Sequence, residues 1–98
     1  MLPTHQEVND KLTLVNVITW LEKQDPTTPY NFFDNRDCLL ARYLAAQGYH
    51  TIWVGGFSLR VATVEVHIPK ELLPVNWPHG TYGDALNSAR KELNKVEG

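Results

Sequence analysis

The sequence predicts an α+β fold in which three helices pack on a short antiparallel β-hairpin, in the order α-α-β-β-α. Three features carry that expectation. Thr4 and Glu7 form a capping box ahead of an apolar stripe, each side chain satisfying a backbone N–H at the other's position. Asp34 and Gly48 bracket a second helical run with an N-cap residue and a left-handed stop. Two β-rich runs then flank the turn residues "GGFS".

The first helix is expected from His5 to about Lys23. Val8, Leu12, Leu14, Val15, Ile18 and Leu21 make its core stripe, with Asn9, Lys11, Thr13 and Asn16 mostly opposite. The β-branched run in "LVNVITW" weakens the helix through lost rotamer freedom. Val17 and Trp20 fall off the stripe, so the helix is either buried all round or offers Trp20 as an exposed contact.

In "QDPTTPYNFF", Pro26 and Pro29 lack donors and push the residues before them out of the α region, which ends that helix in a loop. Asp34 caps the next helix, Asp37 sits in its first turn against the positive end of the dipole, and the helix runs to Gln47. "HTIWV" and "LRVATVEVHI" are the two hairpin strands. Leu59 and Val61 point to one face while Val64, Val66 and Ile68 point to the other, which requires a bulge near Ala62 or burial of both faces. "PKELLPVNWPHG" is irregular, with one helical turn at Glu71 to Leu73. Thr81 and Asp84 open a final helix to about Lys95, whose stripe is Tyr82, Ala85, Leu86, Ala89, Leu93 and Val96.

The chain's 98 residues make one domain with one core. A chain of that size buries roughly 60–65% of the surface it exposes unfolded. Nine Lys and Arg against eleven Asp and Glu leave a formal charge of -2. That balance argues against nucleic acid as a partner and equally against a DNA mimic, which needs dense carboxylates. The N-terminal "MLPTHQEVNDKL" has no basic region followed by an apolar run, and no stretch approaches the roughly 18–20 apolar residues of a membrane span, so a cytoplasmic chain is expected. Cys38, the single cysteine, cannot form an internal disulfide.

The pattern Trp20-Leu21, Tyr30, Asp34, Cys38-Leu39, Ala41, Tyr43-Leu44 and Gly48 resembles short bacterial and prophage-encoded proteins that share a "WL…Y…D…C-L-x-A-x-Y-L…G" layout. The resemblance covers about the first half of the chain. It implies no catalytic residue, because most of the matched positions are apolar or capping positions. It does imply small accessory proteins that work by binding, including phage-encoded inhibitors of host defence.

Cys38, about four residues beyond the Asp34 cap, is placed where a helix dipole favours a thiolate, with His67 as the base of a thiol hydrolase. Against this, Asp34 and Asp37 flank the thiol with negative charge, and Cys38 shares an arc with Leu40, Ala41, Leu44 and Ala45 that would bury it as packing. His5, His50, His67 and His79 lack the short spacings that place two ligands on one metal, so neither a metal nor a cofactor is implied. In "PHGTYGDAL", Gly80 and Gly83 bracket a helix start whose free N–H groups would cradle the phosphate of a small nucleotide, with Arg60 or His79 supplying charge. Asp84 opposes that reading, and no full glycine fingerprint is present.

Tyr30, Phe32 and Phe33 are expected to fold back onto the domain, while Trp53, Phe57 and Trp77, with His79 and Tyr82 nearby, are the candidate binding surface. The sequence therefore points to a non-catalytic domain that binds another protein. A homodimer through the open hairpin edge is a further alternative.

Overall fold

The computed structural model describes residues 2–76 and 80–97, with side chains through Lys95. The fold is α+β, as the sequence predicts, but its elements are more finely divided: α1 His5–Lys11, α2 Leu14–Glu22, α3 Leu39–Ala46, β1 Ile52–Val54, β2 Ser58–Val61, β3 Val64–His67, a 3-10 turn Lys70–Leu72, α4 Leu73–Asn76 and α5 Tyr82–Glu97. The strands form one antiparallel sheet in the order β1-β2-β3.

The long first helix of the sequence reading is two helices. The Thr13 hydroxyl accepts a hydrogen bond from Asn16 N–H at 3.2 Å and caps α2, while the Asn16 amide donates to Asp10 O at 2.9 Å and ties the corner. The reason is phase. In one continuous helix Leu12 and Leu14 would point about 200° apart, at about 100° per residue. Broken at Thr13, the chain buries both. The α2 stripe becomes Leu14, Val17, Ile18 and Leu21, so Val17 is fully buried and Val15 is 58% exposed, the reverse of the expectation.

The second strand run likewise divides. Val61 pairs with Val64 and Leu59 with Val66, so Ala62 and Thr63 form a two-residue reversal rather than a bulge. Ala62 carries φ 56°, which a tight turn demands of its first position. The reversal restores the phase, and Leu59, Val61, Val64 and Val66 are all buried on one face.

The helix at residue 34 also starts later than its sequence signal. Asp34 caps a local turn, accepting Arg36 N–H at 2.9 Å on its side chain and Cys38 N–H at 3.0 Å on its carbonyl. Cys38 is itself the N-cap residue of α3, and the Leu40 N–H is satisfied by Asn76 Oδ1 at 3.0 Å, from α4. Gly48 closes the other end with φ 95°, as expected.

Loop 26–30 runs antiparallel to the start of α5. Tyr30 N–H donates to Gly80 O, Tyr82 N–H to Thr28 O and Gly83 N–H to Pro26 O, all within 2.9–3.0 Å. A Cβ on Gly83 would lie 3.0 Å from Pro26 O, so the close approach depends on glycine. Arg42 fastens the same region: its guanidinium forms a two-pronged ion pair with Asp37 at 3.0 and 3.1 Å and donates to Pro29 O at 2.9 Å.

Candidate functional site

Beneath that loop Trp20 packs edge-on against Tyr43 and Tyr82, with ring centroids 5.6 and 5.3 Å away, and Tyr30 lies 5.9 Å from Tyr82. Tyr82 is 7% exposed, which removes it from the candidate binding surface and places it in the core. Trp20 is half-buried in the same stack. Trp77 and His79 lie outside the described residues.

Other aromatic side chains reach solvent. Phe33 is 77% exposed and Phe57 76% exposed, and both line one cleft of about 670 Å³ between the 31–38 loop, the β1–β2 turn and α4. Phe32, Val54, Leu73 and Pro74 complete its walls, and buried Cys38 and Asn76 form its inner end. Phe57 was expected here and Phe33 was not. The cause is local turn chemistry: Asn31 Oδ1 accepts Phe33 N–H at 3.0 Å and Asn31 O accepts Asp34 N–H at 3.1 Å, which turns Phe33 away from the core while Tyr30 stays in it. The signal in the sequence was Asn31 itself.

Two of the cleft's walls are joined by one residue. Asn35 O accepts Val54 N–H at 2.8 Å, and the Asn35 amide donates back to Val54 O. Asn35 thereby stands in for a neighbouring strand and occupies the β1 edge at that point, one of the edges a dimer would use.

At the inner end, burial raises the Cys38 thiol above its ordinary pKa, against the pull of the Ala41 and Leu40 N–H groups and the Asn76 amide. The cause is burial rather than the charge of the flanking Asp34 and Asp37. His67 is exposed on β3 and does not line this cleft, so the structure does not bring the proposed thiol and base together there. The phosphate cradle at Gly80 and Gly83 has its donors engaged as well: Tyr82 and Gly83 N–H by loop 26–30, Asp84 N–H by the Thr81 hydroxyl at 3.3 Å and Ala85 N–H by Thr81 O at 3.1 Å. Arg60 is elsewhere, on β2, with its guanidinium 6.0 Å from the centroid of the Trp53 ring.

Trp53 is 40% exposed and lines a second cleft of about 720 Å³, beside α3. Among the described residues no three or more His, Cys, Asp or Glu are grouped to hold a metal ion, and no helix is long and apolar enough to cross a membrane. No protein family, curated protein or solved structure matches the chain.

Proposed function

We propose that this chain is a small non-catalytic domain, an accessory or inhibitor protein, that binds another protein by receiving an apolar side chain of its partner in the Phe33–Phe57 cleft. The observation that supports this most is the pair of phenylalanines held in solvent on opposite segments of one cleft. Exposing two large rings beside other apolar walls is costly in water, and a partner that covers them recovers the burial. The rings carry large contact area at low entropic cost, as interface anchors do. The Asn35–Val54 bridge holds the two segments in place before any partner arrives, which lowers the cost of ordering them. A bacterial host protein, such as a defence component, is the partner class the resemblance implies.

The test is capture from a bacterial lysate by the immobilised chain, compared with a Phe33→Ser, Phe57→Ser double variant. Capture of a defined partner by the original chain and at least about tenfold weaker binding by the variant is the expected result. A partner retained with equal affinity by the variant would place the interface elsewhere, and absence of any partner would remove the reading.

A further inference from the structure

We propose that the second cleft, between α3 and β1–β2, is a binding site for a small molecule that carries a phosphate group on a flat ring. This goes beyond the protein-binding reading and does not depend on it.

The charge distribution is the first ground. The chain has eleven Asp and Glu against nine Lys and Arg, yet this cleft is lined by Arg36, Arg60 and His50 and by no carboxylate. Among the described residues no nearby carboxylate forms an ion pair with either arginine. Asp37 pairs with Arg42, and Asp34 Oδ1 accepts the Arg36 backbone N–H. Glu65 is the register partner of Arg60 on β3, but among the described residues neither Arg60 nor Arg36 takes part in an ion pair. Two guanidinium groups are thus left with their donor edges unengaged by carboxylate, in a concave site where an anion would be partly shielded from water.

Shape and rigidity are the second ground. A volume of about 720 Å³ is of the size that small-ligand sites use. The Arg60 guanidinium carbon lies 6.0 Å from the centroid of the Trp53 ring, within cation–π range, and its N–H groups make no ion pair among the described residues, so they are available to a phosphate. Trp53 and Tyr49 both line the cleft and supply ring surface for a flat group. The backbone under them is held: Thr51 and Ala62 both have φ 56° and are joined by Ala62 N–H to Thr51 O at 3.0 Å. A β-branched residue in the left-handed region persists only where its surroundings enforce it, and such positions cluster at binding sites. Arg36 is held through its own N–H and through the neighbouring Asn35 bridge to Val54.

The experiment is a titration of the full chain followed by the indole N–H of Trp53 and the side-chain Nε–H of Arg36 and Arg60 in nuclear magnetic resonance spectra. The probes are AMP, inorganic phosphate and adenosine. Saturable shifts with AMP, binding at least about tenfold tighter than phosphate, and no saturable shift with adenosine are expected. Arg36→Gln and Arg60→Gln should each weaken AMP at least about tenfold with the melting temperature unchanged. If either variant melts lower, Arg36→Lys and Arg60→Lys keep the charge and lose the fork, and should still weaken AMP. No saturable shift with AMP up to about 10 mM, equal affinity for AMP and phosphate, adenosine binding as well as AMP, or AMP affinity unchanged by all four substitutions would each overturn the proposal.

Discussion

Two groups of aromatic rings divide this small domain between them. Trp20, Tyr30, Tyr43 and Tyr82 are stacked where loop 26–30, α2, α3 and α5 meet, and the three tyrosines are almost wholly buried. Phe33 and Phe57, with Trp53 on the other side of β1, stand in solvent. The tyrosines, which carry a hydroxyl tip, are inside, and these phenylalanines are outside. Tyr43 can be buried because its hydroxyl donates to Lys11 O at 2.6 Å, and Tyr82 because its hydroxyl meets Arg42 at 3.4 Å. The phenylalanines need no such partner and would be the easier rings to bury, so their exposure follows from where the chain places them.

The contrast is broken most directly at the buried set. Tyr82→Ala removes the ring that contacts both Trp20 and Tyr30 and should lower stability by about 3–4 kcal/mol in a denaturant titration. A loss under about 1 kcal/mol would mean that the stack is not what holds α5 to the loop.

Alkaline pH probes the same set without mutation. Burial raises the Tyr43 phenol to about 12 and also raises the Cys38 thiol. Both groups are kept neutral by the fold, so their contribution is complete below the unfolded pKa values, about 8.5 for a thiol and 10 for a phenol. It is lost as pH rises towards the folded values. Stability should therefore decline from about pH 9, with on the order of 2–3 kcal/mol lost by pH 12 through Tyr43, and Tyr43→Phe should remove that share while leaving the part due to Tyr30, whose phenol burial raises further. A stability curve level through that window would show that the phenol is ionising in the native state.

Asn35→Ala sharpens the comparison from the exposed side. It deletes the side-chain half of the bridge to Val54 while leaving the phenylalanines intact, and should cost about 1 kcal/mol. Because the bridge holds the two cleft segments together, partner binding should also weaken, although Asn35 offers little apolar surface of its own. Smallest of all is the effect of the Phe33→Ser, Phe57→Ser double variant on folding, expected within about 0.5 kcal/mol by thermal melting. A large loss there would move these rings into the structural set.

Much of the fold was legible because its signals are local. Thr4 and Thr81 cap the helices they were expected to cap, and Gly48 ends α3. Where the structure departs from the sequence pattern, two signals compete for one segment. By pattern Thr13 belongs to the polar face of a long helix, but its hydroxyl caps a new one, and the α2 spacing 14, 17, 18 and 21 makes the better stripe. Asp34 is a good N-cap residue, but it caps a turn, because the helix start is supplied with an acceptor by Asn76 from another element. At the candidate site, Phe57 and Trp53 were visible as turn and outer-strand residues, whereas Phe33 required recognising the Asn31 turn.

What the sequence alone determined is the α+β class, the strand-forming runs, the last helix and the rings available for contact, since capping, alternation and turn chemistry act over a few residues. Only the tertiary structure decided which rings are cement and which are surface. The same holds for the engaged N–H groups at Gly83, the burial of Cys38 in a cleft that His67 does not line, and the placing of Arg36 and Arg60 on one cleft. Each of these depends on elements far apart in the chain meeting through packing and long-range hydrogen bonds, and no local pattern records which partner a buried group will find.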